Sequence, residues 1–222
     1  DIQRHDSLEQ ALDASDAGDG ILLLAGGYPE HLLTVAPATL DRAVTRGVRL
    51  YVEFAAALPG IEFGAIQRAR WERAVVAQGF FGDSLPPGRI LAVQGLHLQS
   101  VASPSLTPHL VAARVAGFDH AVYGLPPEAA PLLFEHPEHR WLVATTCLSS
   151  FVTGRYAPVD AWLALWRRIL QWLAGDAASI PPLTCKRLVA PAYGRNVTMP
   201  EQSEARALAS GLRWFRRSGM LP

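Results

Sequence analysis

The sequence predicts a three-layer α/β domain built on a mostly parallel sheet, with an antiparallel hairpin toward one edge. Three observations predict it. Residues 21–24 (ILLL) are a continuous apolar run bounded by glycines, the pattern of a strand covered on both faces. A second such run at 48–54 (VRLYVEF) comes after a helix-length segment, which makes a β-α-β unit with an expected right-handed crossover. Residues 158–175 then carry the strongest helical stripe in the chain.

Each element has its own local signal. Ser7-Leu8-Glu9-Gln10 fits a capping box, so a short helix is expected to run to about Ala14. Asp19-Gly20 turns into the first strand, which Gly26-Gly27-Tyr28-Pro29 breaks. Pro37 suits a first helical turn, and Gly47 stops the helix that passes through Leu40, Ala43 and Val44. After VRLYVEF, strands are expected at 74–77, 89–93, 110–115 and 120–123. Residues 131–134 and 141–145 flank the turn-like EHPE and read as a hairpin. In the long helix Trp162, Trp166, Ile169, Leu170 and Leu173 share one face, Asp160 lies in the first turn, and Gly175 ends it.

Beyond that point the pattern changes. Pro181, Pro182, Pro191 and Pro200 punctuate 176–200, which reads as an extended linker after a domain spanning 1–175. Residues 201–222 return to a helical stripe of Ala205, Leu208, Leu212 and Phe215 opposite Arg206, Arg213 and Arg217. That apolar face needs a cover: the main domain, another copy through a homo-oligomer, or a following domain, of which the last is favoured.

Composition removes several classes. Half of the 222 residues are apolar, enough for a chain of this size to bury roughly 70% of its unfolded surface, so disorder and a disulfide-stapled miniprotein are excluded. Twenty basic residues balance twenty acidic ones, and no net field draws the chain to nucleic acid or an anionic membrane. No apolar run reaches transmembrane length. The two cysteines, Cys147 and Cys185, stand in no metal or redox spacing. No metal or other cofactor is expected. Asp1 opens the chain without a signal pattern, which leaves the compartment open.

Ligands of open parallel sheets bind outside the carboxyl ends of the strands, so the candidate site residues lie just after the strands. Gly26 and Gly27, with Tyr28, could turn backbone N–H groups toward an anion or simply make a tight turn. Glu53 at a strand end and His97 are the candidate catalytic pair, Glu53 as a general base. Arg155 and Tyr156, in the loop before the long helix, are candidate ligand contacts, with Arg155 suited to a carboxylate or to tying the loop down. His136, Glu138 and His139 lie in the hairpin turn and read as solvated rather than as a metal site or as activators of a thiol. The tryptophans of the long helix read as core or interface.

The order AGGYP, helix, VRLYVEF resembles the class I glutamine amidotransferase-like superfamily, closest to its trehalose-utilisation-like and β-galactosidase-trimerisation-like branches. The segment LVATTCLSSFVTGRYAPVDAWLALWRRILQWL is similar to versions that precede six-hairpin (α/α)6 glycosidase domains in bacterial carbohydrate-active proteins, and ALASGLRWFRRSGML resembles the first helix of that following domain. The likeness covers most of 20–175 and the tail. It implies a flavodoxin-like fold, a carbohydrate context and a neighbouring catalytic domain. It also exposes a departure. Matched on VRLYVEF, the elbow where active amidotransferases carry cysteine reads Glu53-Phe54-Ala55-Ala56; matched on 89–93 it reads Gln94-Gly95-Leu96-His97. Neither holds a thiol, so glutamine hydrolysis by that route is not expected.

Three functions compete. The first is a non-catalytic accessory domain of a carbohydrate-active protein, supporting assembly or a neighbouring glycosidase site. The second is a stand-alone hydrolase acting on a sugar derivative through Glu53 and His97. The third is a small-molecule binding module using Gly26, Gly27 and Arg155 for an anion, with sugar phosphates and uronates as the ligands to test.

Overall fold

The computed structural model describes residues 2–93, 95–102, 106–151, 159–175 and 177–184. The described residues form α1 (Leu8–Ala14), β1 (Gly20–Leu23), α2 (Pro37–Arg46), β2 (Arg49–Glu53), β3 (Phe63–Arg68), β4 (Arg73–Val76), β5 (Ile90–Leu91), β6 (His97–Val101), β7 (Pro108–Ala113), β8 (Ala130–Glu135), β9 (Trp141–Ala144) and α3 (Val159–Ala174). Short 3-10 turns cover Gly79–Ser84 and Leu148–Phe151.

Local chemistry sets the helices. The Ser7 side chain accepts from the Gln10 N–H at 3.3 Å, while the Gln10 side chain accepts from the Asp6 N–H at 3.1 Å, one residue earlier than a capping box places it. Pro37 opens α2, and Gly47 closes it in the left-handed region at φ 70°, where a Cβ would be strained.

Seven strands make one sheet in the order β1-β2-β9-β8-β7-β4-β5, and β3 and β6 form a separate antiparallel ribbon. Five of the seven strands point the same way, but only β1-β2 and β2-β9 are parallel neighbours, because β8 and β4 run against the rest. The expected β8–β9 hairpin forms, though at the centre of the sheet rather than toward an edge. Its residues explain the placement. Leu132, Leu133, Phe134 and all four residues of β9 are buried, so both faces of the hairpin are covered, as suits strands inside the sheet. The run at 21–24 instead becomes an edge strand: Leu22 and Leu23 are half-buried and Leu24 is exposed.

The three parallel strands β1, β2 and β9 have helices on both faces. Leu50, Val52 and Val143 pack toward α1 and α2 with Leu8, Leu12, Leu40 and Ala43. Tyr51, Leu142 and Ala144 pack toward α3 with Trp162, Leu165, Trp166, Ile169 and Leu173. Each leucine, isoleucine or valine among them contributes roughly 1.5–3 kcal/mol when fully buried. Leu165 rather than half-buried Leu170 completes the α3 stripe. A Cβ on Gly20 would lie 2.5 Å from the Leu173 carbonyl oxygen, so α3 rests directly on the β1 backbone.

Other sequence expectations shift. Residues 120–123 form no strand: His120 makes a single bridge to Arg89, and Val122 and Tyr123 are exposed. The segment caps the β5 edge instead, through Ile90 N–H to the Asp119 carbonyl, while Gly117 and Gly124 at positive φ hold its turns. The strand expected over 89–93 narrows to Ile90–Leu91. β3 and β6 carry no clear alternation in sequence, since β3 is exposed at five of its six positions. The candidates Arg155, Tyr156 and Cys185, and the C-terminal helix at 201–222, lie outside the described residues; of the linker, only 177–184 is described, a turn followed by irregular chain.

Candidate functional site

β1, β2 and β9 are parallel, so their carboxyl ends meet, and the segments leaving them supply Ala25 to Pro29, Glu53-Phe54, and Thr145 to Ser150. Side chains alternate across β2, which puts Tyr51 and Glu53 on the same face. Glu53 is fully buried. Its Oε1 accepts from the Ala25 N–H at 3.2 Å, the Cys147 thiol at 3.1 Å and the Ser149 hydroxyl at 2.6 Å. Its Oε2 accepts from the Tyr51 hydroxyl at 2.8 Å and the Ser149 N–H at 3.1 Å. Five donors therefore converge on a group with about four lone-pair sites, which leaves no open position on the carboxylate for a substrate proton.

Cys147 is buried on the other side of that bond. The Ser150 hydroxyl donates to its sulfur at 3.1 Å, and the Ser149 oxygen lies 3.2 Å away. Burial and the neighbouring Glu53 charge both push the thiol's pKa up. A thiolate nucleophile needs the opposite environment, a cation or a helix N-terminus. Burial first, then Glu53, likewise pushes Tyr51 well above the ordinary phenol value. Among the described residues no histidine hydrogen-bonds to Glu53 or Cys147.

His97 stands one layer out. Its N–H donates to the Tyr28 hydroxyl at 2.6 Å, the Tyr28 hydroxyl donates to the His97 carbonyl at 3.1 Å, and the His97 ring nitrogen Nδ1 meets the Gly95 carbonyl at 3.0 Å. Thr146 donates to the same Tyr28 oxygen at 3.3 Å. Tyr28 thus joins the loop after β1 to β6 and to the chain after β9. Its ring meets Phe54 edge-on at 5.0 Å and Phe151 at 6.4 Å. Burial raises its pKa. Of the other glycine candidates, Gly26 borders open space, while a Cβ on Gly27 would lie 2.8 Å from the His31 Cβ. Gly27 is required by packing.

Phe54 has φ 52°, a conformation that costs a bulky residue of order 1–3 kcal/mol. Its backbone is held at both ends: its N–H donates to the Ala144 carbonyl and its carbonyl accepts from Leu33 N–H, at 2.9 and 2.8 Å. A nucleophile elbow has this sharp turn followed by a helix. Here a fully buried phenylalanine occupies the turn, and irregular chain comes after it.

The hairpin turn is not simply solvated. His136 is buried, its Nε2 meets the Pro59 carbonyl at 2.7 Å, and its Nδ1 accepts from the Glu138 and His139 N–H groups at 3.1 and 3.2 Å. Both ring nitrogens are engaged in tying the turn to the loop after β2. Among the described residues no cluster of three or more His, Cys, Asp or Glu is placed to hold a metal ion.

Sequence reasoning missed Cys147, Ser149 and Tyr51 as partners of Glu53. Tyr51 was legible as an i, i+2 neighbour on one strand face; the pairing of Cys147 with Glu53, 94 positions apart, had no local signal. Comparisons of this chain with protein-family models, with curated proteins and with solved structures find no match.

Proposed function

We propose that this chain is a non-catalytic α/β accessory domain of a flavodoxin-like, amidotransferase-like kind, serving assembly or a neighbouring glycosidase site in a bacterial carbohydrate-active protein. One observation carries the non-catalytic reading: the Glu53 carboxylate is buried and filled by five donors, one of them the thiol of Cys147. A carboxylate in that position works as a fastener for three strand ends. The positive-φ turn at Phe54 supports the same reading, because it keeps a costly backbone conformation with no reactive side chain on it. The carbohydrate context and the neighbouring domain rest on the resemblance of 20–175 and of the tail.

The experiment has two arms. In a Cys185→Ser background, Cys147 is expected to react with a thiol reagent only as fast as the protein unfolds, and to react fully in urea. The purified chain is expected to release no ammonia from glutamine and to turn over no aryl glycoside or aryl ester. Turnover that disappears on Glu53→Gln or Cys147→Ala overturns the reading in favour of a hydrolase. A natural reading frame that stops at Pro222 overturns the neighbouring-domain part alone.

A further inference from the structure

A second feature lies at the opposite side of the sheet from β1. The chain entering β4 and the chain leaving β7 are adjacent, since Arg73 pairs with Ala113. These two segments carry the most exposed aromatic side chains among the described residues: Trp71 at 75%, Phe118 at 95% and Tyr123 at 88%, with Val122 beside them at 65%. Exposed apolar residues scattered singly need no explanation, but several on two joined loops do.

The loops that present them are fastened. Glu72 Oε2 accepts from the Arg70 and Trp71 N–H groups at 2.7 and 3.1 Å, and Arg114 Nε donates to Glu72 Oε1 at 2.9 Å. Those backbone bonds, the Arg70 bond foremost, hold the Glu72 carboxyl down at about 2, so it stays ionised at any working pH. The Arg73 guanidinium forks onto the Val115 and Gly117 carbonyls, both at 2.7 Å, and fixes the turn that carries Phe118. Charge-assisted bonds of this kind order a loop before any partner arrives, which lowers the entropy lost on binding.

We propose that this edge docks an acidic, apolar segment of a partner protein, with Trp71, Phe118 and Tyr123 as anchors and Arg68 and Arg70 as carboxylate partners. Charge selects the occupant. Two acids beside this edge already have arginine partners, Glu72 with Arg114 and Asp119 with Arg89, at 2.9 and 3.7 Å. Arg68 and Arg70 are exposed and have no acidic partner among the described residues. A second copy docking symmetrically would bring these arginines toward their own equivalents, which disfavours self-association. Strand addition is blocked as well, because Asp119 and Ala121 already bond to the chain at β5. Recognition must therefore run through side chains, and Trp, Tyr and Arg are the residues that dominate such contacts.

The test is fluorescence anisotropy with two labelled peptides, one alternating Glu and Leu and one alternating Lys and Leu. The acidic peptide is expected to bind and the basic one not to. Trp71→Ala/Phe118→Ala and, separately, Arg68→Glu/Arg70→Glu are expected to weaken binding about tenfold or more, and added salt to weaken it further. All four side chains are solvent-exposed, so these variants keep the fold. Equal binding of both peptides, no binding of the acidic one, or binding unchanged in both double variants would overturn the proposal. So would concentration-dependent dimerisation that Trp71→Ala/Phe118→Ala abolishes, which assigns the surface to a second copy, or binding of a uronate oligosaccharide in place of the peptide.

Discussion

Replacing Glu53 by glutamine changes one atom and removes one charge, and the donor geometry sets the cost. If the new amide nitrogen takes the Oε2 position, it faces the Tyr51 hydroxyl and the Ser149 N–H. The hydroxyl can turn and accept; the backbone N–H cannot. If it takes the Oε1 position, the Ser149 hydroxyl and the Cys147 thiol can turn, but the Ala25 N–H is left facing a donor. Either orientation orphans one backbone N–H, at about 1–3 kcal/mol, and the surviving bonds lose their ionic strength. Relief of burying a charge offsets part of this. The expected loss is about 2–4 kcal/mol. Urea unfolding followed by tryptophan fluorescence should show it as a midpoint lowered by about 1–2 M at a slope near 2 kcal/mol/M. The sign separates the two roles of Glu53. A buried carboxylate kept for catalysis at the expense of stability makes the protein more stable when neutralised. A gain in stability, or a change within about 0.5 kcal/mol, refutes the fastener reading.

Gly20→Ala places a methyl 2.5 Å from the Leu173 carbonyl oxygen, and because that atom is backbone, α3 must shift; a loss of about 1–3 kcal/mol is expected, and a neutral result in the same urea assay would exclude close contact between α3 and β1. Acid is expected to destabilise the protein through His136 and His109. Burial lowers both pKa values; Pro59 opposes it at His136, where His139 adds to the lowering and Glu138 opposes, and Glu135 opposes it at His109, where Arg168 adds. Folded values below the unfolded one mean that the unfolded chain binds more protons, so this stability is present above the unfolded pKa of about 6.5 and is lost as pH falls through the folded values. Thermal melts from about pH 7.5 down to about pH 5.5 should show a falling midpoint that His136→Gln makes less steep. An unchanged slope in that variant would remove His136 as a source.

The sequence by itself determined what neighbours along the chain can determine. Ser7 and Gln10 cap α1, Pro37 and Gly47 bound α2, and the tryptophan stripe forms α3, because caps and helical periodicity act within a few residues. The two parallel strands and the hairpin, though not its central place in the sheet, were legible for the same reason, as apolar runs between turn residues. The lack of a cysteine at either expected elbow was also a property of the sequence alone.

Tertiary structure decided the rest. β9 rather than a strand from the middle of the chain lies beside β2, and that pairing brings Cys147 and Ser149 onto Glu53 and so turns a candidate base into a hydrogen-bond hub. The β3–β6 ribbon and the cap on β5 were equally unmarked. The physical reason is common to all of these. A strand's apolar pattern states that it must be covered, while its hydrogen-bonding edges accept any backbone, so which strand comes to lie beside it depends on how the whole set of apolar faces is buried at once.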